Sequence, residues 1–324
     1  MRLRALGDAE SYDAVFLSPH VDDVPVACAA RLLAERERGA RVLLAVICGD
    51  PAEAVPGSGW PAAFERWRID LLALGLPLAA ERDPAYGNLR ALAFERRSSD
   101  DAAIAELALT LEDLRPRVRA RDVYLPLGVG GHADHRLVLE AALRVFTPGV
   151  GRNVFLYEER PAALLRGALR IRLGQLGVWL PPEIRTLDDP GLARLLLRFQ
   201  REAYLACSPA PWTARVRCSG LVARQWREAR AWRPQRGLGL RLQPVLHTTD
   251  ETRLAGVREA CREWATRRAA ASLPLERLER LAAAYSRRLG GGAHVERYWL
   301  LLPPRDEDAR YGPLGRLADE ALAS

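Results

Sequence analysis

The sequence reads as an α/β protein: a Rossmann-like, mostly parallel sheet with helices on both faces. Three observations carry this. Short, almost wholly apolar runs at residues 13–18, 41–48, 122–127 and 153–157 alternate with longer helix-like runs. The apolar runs show little in–out alternation, as expected of strands buried on both faces. Strand, helix and strand follow one another through short connections, which is a βαβ unit.

In order, the first strand ends in Ser18, and the run Val24 to Gly39 reads as a helix with Pro25 in its first turn and Gly39 as its stop. Arg41–Cys48 is the second strand, followed by a Pro/Gly-rich loop over 51–61. Ala62–Leu74 reads as a helix closed by Gly75, with a short strand at Leu76–Ala80 leading into Arg82-Asp83-Pro84-Ala85-Tyr86-Gly87. Residues 100–114 form a helix with an acidic start that suits its dipole, stopped before Pro116. The strand at 122–127 leads through Gly128-Val129-Gly130-Gly131 into a helix at 136–146, then the strand at 153–157. Beyond it, helices are expected at 164–176, 192–205, 251–268 and 275–289, and strands at 238–247 and 298–302. No linker or repeat stands out. The expected organisation is a core at 1–160 that carries the site, with an elaboration at 161–324 that packs on it and completes the pocket.

Composition narrows the class. The chain has 324 residues, 49% hydrophobic and 27% charged, enough for a sizeable buried core. Its formal charge of +7 invites a nucleic-acid reading. All 48 basic residues are Arg, however, scattered among Asp and Glu as on solvated helix faces rather than gathered in one stripe, so no nucleic-acid partner is expected. No apolar run approaches the ~18 residues of a membrane span. Residues 1–10 lack the apolar stretch of a signal peptide, and a cytoplasmic location is expected. The five cysteines form no CxxC pair and read as small buried hydrophobes.

Two clusters carry chemistry. Ser18-Pro19-His20-Val21-Asp22-Asp23 lies where the first strand runs out; His132-Ala133-Asp134-His135 follows the strand at 122–127. Ligands of open parallel sheets collect at the carboxyl ends of strands. His20 and Asp23, three apart in a tight turn, are within reach of one metal ion, and a third ligand from the second loop leaves a position open for water. Asp22 is the candidate general base, and the spare histidine the group that stabilises the oxyanion or protonates the leaving amine. Each cluster has a plainer explanation, as helix cap and polar loop. Against it, the two clusters hold three of the chain's five histidines, both at strand ends. His247 and His294 have no motif around them.

The pair of motifs, Pro19-His20-Val21-Asp22-Asp23 and His132-Ala133-Asp134-His135, resembles the signatures of the PIG-L/LmbE-like zinc-dependent N-deacetylases. Asp83-Pro84-Ala85-Tyr86, Tyr157-Glu158-Glu159-Arg160-Pro161, Tyr285-Ser286-Arg287 and Glu296-Arg297-Tyr298-Trp299 are similar to fragments of one branch of that family. The resemblance implies a Rossmann-like fold that binds one Zn2+ per chain through His20, Asp23 and His135, with Fe2+ the alternative ion since it shares such ligands. It implies Asp22 as general base and His132 as acid or oxyanion stabiliser, oriented by Asp134. It implies hydrolysis of an N-acetyl or other N-acyl group from an amino sugar or glycoconjugate. An amidase of a larger thiol conjugate and a non-catalytic sugar-binding relative are the alternatives. Homo-oligomerisation stays open.

The chain departs from the family pattern at three places. Val24 stands where Glu is common, Arg287 where Gln is common, and Arg66, Arg68 and Asp70 only loosely echo an Arg-x-x-Glu. Asp83 and Arg68 are the candidate substrate-binding residues. A carboxylate at a strand end accepts two sugar hydroxyls, although an Asp-Pro turn starter explains Asp83 as well.

Overall fold

The structure, a computed structural model, describes residues 2–3, 11–49, 60–87, 91–92, 95–149, 151–160, 162–164, 168–178, 240–250, 253–259, 262, 275–290 and 294–303. Eight strands are described: β1 (Arg2–Leu3), β2 (Ala14–Ser18), β3 (Val42–Cys48), β4 (Asp70–Leu76), β5 (Asp122–Pro126), β6 (Asn153–Tyr157), β7 (Arg241–Thr249) and β8 (His294–Leu302). They form one sheet in the order β1-β4-β3-β2-β5-β6-β8-β7. The pairs from β1 to β6 are parallel, and β8 and β7 extend the sheet antiparallel.

Two-sided burial is what makes the apolar runs strands. Val15, Leu17, Leu43, Ala45, Ile47, Val123 and Leu125 face one core, with Ile104, Leu107 and Leu111 of α4 (Ser98–Val118), α5 (Ala133–Val145) and α6 (Ala168–Gln175). The alternate residues Ala14, Phe16, Val42, Leu44, Val46 and Tyr124 face the other. There they meet α1 (Asp23–Glu37), α2 (Trp60–Arg66) and α7 (Leu275–Arg288). Burying one such Val, Leu or Phe side chain is worth roughly 1.5–3 kcal/mol, and a strand with both faces covered collects this at every residue. Among the described residues no helix is long and apolar enough to cross a membrane.

Chain direction places the site. From β2 the chain winds through β3 and β4 to one side, and β5 and β6 lie on the other side of β2. β2 and β5 are direct neighbours, with Ala14 opposite Asp122 and Phe16 opposite Tyr124. The gap between their carboxyl ends is therefore the switch point, where α/β sheets keep their ligands.

Several expected elements differ. The helix expected at 62–74 stops at Arg66, and the strand expected at 76–80 is instead β4, at 70–76. The N–H groups of Arg68 and Ile69 bond the carbonyls of Glu65 and Phe64 at 3.0 and 2.9 Å, with Arg68 left-handed at φ 53°, which is a Schellman stop. Leu71, Leu72 and Ala73 then pair with β3, so sheet pairing overrides the helix propensity of Leu and Ala. The helix expected to stop before Pro116 continues to Val118. Pro116 forfeits one helical bond, but Val118 is buried and its carbonyl accepts from Tyr12 N–H at 3.0 Å, which holds the last turn to the sheet. The last strand begins at His294 rather than Tyr298, and short Ala79–Arg82 is a helical turn, α3. The helix expected at 192–205, most of that at 251–268, and Cys207, Cys218 and Cys261 lie outside the described residues. Cys28 and Cys48 are free and buried, as expected.

Three of the fragments, at 157–161, 285–287 and 296–299, meet in the interior. Glu158 accepts from Arg297 Nε at 2.5 Å, from Trp299 Nε1 at 2.9 Å and from the Tyr285 hydroxyl. Glu296 accepts from the N–H groups of Ala30 and Arg31 at 2.8 and 3.0 Å, just past a kink at Cys28 in α1. These contacts tie β6, α7, β8 and α1 into one body.

Candidate metal centre

The first cluster is a turn held by Ser18. Its hydroxyl donates to the His20 carbonyl and accepts from Val24 N–H at 3.2 Å. The turn folds Asp23 back, so that its Oδ2 accepts from His20 N–H at 2.8 Å and lies 3.1 Å from His20 Nδ1. Asp22 occupies the N-cap position of α1 but its side chain makes no capping bond, and it is 7% exposed. A buried carboxylate that does not cap its helix is not explained by the plain capping role.

The second cluster rides on the loop after β5. Gly128 has φ 80°, and a Cβ there would sit 2.8 Å from Nη2 of Arg172, whose guanidinium packs beneath the loop and donates through Nε to the Leu127 carbonyl at 2.7 Å. Only glycine satisfies both the backbone and that close approach. The loop delivers His132 to the N-cap of α5, where its Nδ1 accepts from Asp134 N–H at 3.2 Å. That bond leaves the ring proton of neutral His132 on Nε2.

The two clusters converge. The ring centroids of His20, His132 and His135 are 5.1, 5.1 and 5.3 Å apart, a nearly equilateral triangle. His135 Nε2 lies 3.2 Å from Asp23 Oδ2. Two three-residue groups bring one ligand atom each within 4.8 Å of one another: His20, Asp23 and His135, and His20, His132 and Asp134.

The outer ring nitrogens separate these groups. A metal-ligating histidine characteristically donates its other N–H to a carboxylate. His20, with Nδ1 toward Asp23, has Nε2 2.9 Å from Asp134 Oδ2; His135, with Nε2 toward Asp23, has Nδ1 3.2 Å from Glu159 Oε1. Both imidazoles of the first group are thus backed by buried carboxylates. In the second group Asp134 would have to be a ligand and lose that backing role, while His132 Nδ1 is already taken. The donor set of two imidazoles and one carboxylate fits a catalytic divalent site.

Charge follows the same geometry. Burial opposes ionisation of Asp23, but His135 and His20 outweigh it and hold its carboxyl well below the usual range. Burial likewise opposes protonation of His20, but Asp23 and Asp134 raise its pKa to about 9, and Asp23 and Glu159 raise that of His135. Desolvation and the positive charges of His20 and His135 lower His132 to about 3.

The structure brings His20, Asp23, His132, Asp134 and His135 together at the carboxyl ends of β2 and β5, with Asp22 buried next to Asp23 in the chain, and alters one relationship within the group. The Asp134 carboxylate approaches His20 at 2.9 Å and stands 3.8 Å from His132 Nδ1, so the side chain backs His20 and only the backbone N–H orients His132. Arg68 is not brought there. It is exposed at the amino end of β4, the far end of the sheet, where Asp70 also lies, and Arg66 pairs with Glu259. Strand direction is the reason: a residue that precedes a parallel strand cannot reach the carboxyl ends. Asp83 Oδ1 accepts from Ala85 N–H at 2.9 Å, the bond of a turn starter. His294 is buried against Arg160, and His247 is half-buried on β7, outside the cleft.

Two residues of the site escaped the sequence reading. Glu159 binds His135 and also accepts from Val129 N–H at 3.1 Å. Its signal was an acidic pair just past a buried strand, next to the strand that carries the second motif. Arg82, a neighbour of Asp83, donates to Asp134 Oδ1 at 2.7 Å, and nothing in the sequence alone announces it.

Solved structures share this fold at low identity. The crystal structure of the A40926 pseudoaglycone deacetylase matches with TM-score 0.54 and 15% identity over 90% of this chain and 98% of that one. A deacetylase–teicoplanin complex from the teicoplanin biosynthesis pathway matches at 0.56 and 14% identity, over 92% and 100%. The zinc inhibited form of teicoplanin deacetylase matches at 0.54 and 15%, over the same shares. No family model and no curated protein matches the chain. At such identity the likeness is one of fold, and that fold is the one expected from the strand and helix pattern.

Proposed function

We propose that the protein is a metal-dependent hydrolase that removes an N-acetyl group from an amino sugar or glycoconjugate. The observation that carries this reading is the His20–Asp23–His135 set, with each imidazole backed by a buried carboxylate at the sheet's switch point. The deacetylase activity of the proteins that share the fold supports it.

His20 Nδ1, Asp23 and His135 Nε2 would hold the ion. A divalent ion bound there supplies Lewis acidity, polarising the amide carbonyl and lowering the pKa of water toward ~7. Asp22 takes a proton from the attacking water and returns it to the departing amine nitrogen. His132 Nε2–H donates to the oxygen that gains negative charge, and the Asp134 N–H on Nδ1 keeps the proton on that side. With Nδ1 already accepting from the backbone, His132 is the hydrogen-bond donor, and the leaving amine receives its proton from Asp22. The products are a carboxylate and a free amine.

Zinc is the proposed ion. One deacetylase of this fold is described in a zinc inhibited form, so the test compares metals. Chelated protein is reloaded with Zn2+, Fe2+ or Co2+ and offered N-acetylated amino sugars, free and as glycoconjugates, with acetate and amine measured together. Metal-dependent release of both in equal amounts is expected. A fully loaded protein that binds these compounds but releases neither product would sink the reading in favour of a sugar-binding role.

His20 also dictates a pH dependence. In the metal-free protein it keeps its proton up to about pH 9, and that proton must leave when the ring ligates. Apparent affinity is expected to rise by about tenfold per pH unit for each proton displaced, and His135, raised as well, contributes a second proton. A competition titration between pH 6 and 9.5 measures the slope, and a flat profile would mean that His20 does not ligate.

A further inference from the structure

Arg82 sits outside both motifs and has no part in the steps above, yet it is among the most buried charges at the centre. Its side chain is 6% exposed, and Nη1 donates to Asp134 Oδ1 at 2.7 Å and to the Pro77 carbonyl at 2.8 Å. Nη2 lies 3.5 Å from Oδ1 of Asp100, whose other oxygen takes the Tyr86 hydroxyl and the Arg97 N–H. Asp134, itself 1% exposed, turns its second oxygen to His20 Nε2 at 2.9 Å, with Ala79 N–H at 3.4 Å. A continuous chain thus runs from the start of α4 to the metal-facing imidazole: Asp100, Arg82, Asp134, His20.

Buried carboxylates are costly unless paired and hydrogen-bonded, and truncating one partner leaves the other charge uncompensated. Asp134 can hold a fixed rotamer against His20 only while its other oxygen is satisfied, and the guanidinium is the charged group that satisfies it. We propose that Arg82 is a positioning residue for the metal centre, which sets the orientation of His20 by clamping Asp134 from behind. The proposal rests on the metal-site reading and extends it to a residue that no motif marks. It also makes the 77–87 segment part of the centre, since Arg82 binds the Pro77 carbonyl and Asp134 together.

The test reads metal affinity rather than turnover. Metal-free wild type, Arg82→Gln, Arg82→Lys, Asp134→Asn and the Arg82→Gln/Asp134→Asn double variant are titrated with Zn2+ against a chromophoric chelator. The titration is run at a temperature where circular dichroism shows each folded, and the visible spectrum of the Co2+ forms is recorded alongside. Loss of a group that orients a ligand typically costs about 10–100-fold in metal affinity. Arg82→Gln is expected to fall in that range with an altered Co2+ spectrum, and Arg82→Lys to fall less, because an ammonium cannot span the same acceptors. The double variant is expected to bind no more weakly than Asp134→Asn alone, since Arg82 acts through Asp134. Wild-type affinity in Arg82→Gln, or losses that multiply in the double variant, would overturn the proposal. Should Arg82→Gln not fold, unchanged affinity in Arg82→Lys overturns it equally. Weak binding by the wild type itself would remove the metal-site reading first and this inference with it.

Discussion

Asp22→Asn is expected to lower kcat by about 10²–10⁴-fold while metal content stays at one ion per chain. Asp23→Asn is expected to lose ion and activity together. The contrast follows from where the two carboxylates stand. Asp23 Oδ2 lies 3.1 and 3.2 Å from nitrogens of His20 and His135, so its charge is part of the ligand set. Asp22 belongs to neither three-residue group, does not cap α1, and is buried next to Asp23 in the chain. The amide in Asp22→Asn keeps the shape of the side chain but cannot take a proton. Metal analysis of the two purified variants, beside single-turnover and steady-state rates, separates the roles. Equal loss of metal in both would make Asp22 a ligand or a structural acid instead of a base.

The second large effect concerns stability. Glu158 and Arg297 have side chains 3% and 2% exposed, and the Tyr285 hydroxyl accepts from Arg297 Nη2 at 2.6 Å while donating to Glu158. Removing one member of such a pair strands the other charge in the interior, and Arg297→Met or Glu158→Leu is expected to cost about 3–5 kcal/mol. The double variant Glu158→Leu/Arg297→Met leaves no stranded charge and is expected to recover most of that loss. Urea midpoints at unchanged slope measure both. A double variant as unstable as the sum of the singles would mean that the two side chains do not act as a pair. Because this pair joins β6 to β8, its loss should also make the antiparallel end of the sheet exchange amide hydrogens faster.

Much of this was legible in the chain itself, for identifiable reasons. Strands buried on both faces have to be apolar throughout, so β2, β3, β5 and β6 announce themselves within a residue or two. The rare histidines, placed where those strands end, marked both halves of the centre. β4 is hidden in the sequence because Leu71-Leu72-Ala73-Leu74 suits a helix as well as a strand, and only the free edge of β3 decides between them. The same ambiguity hides the position of Arg68, since only β4 shows that it stands at the amino end of the sheet.

The sequence by itself determined which side chains can do chemistry: two short motifs whose tight turns hold His20 beside Asp23 and His132 beside Asp134 through local bonds. Contacts of this kind span a few residues and are written in spacing alone. The tertiary structure decided which of those side chains work together. Pairing of β2 with β5 put His135 beside Asp23, and the end of β6 brought Glu159 behind His135. The turn before Asp83 sent Arg82 to Asp134 and, through it, to His20. These partners are far apart in the chain, and what joins them is the burial of unlike charges between neighbouring strand ends, which no local pattern encodes.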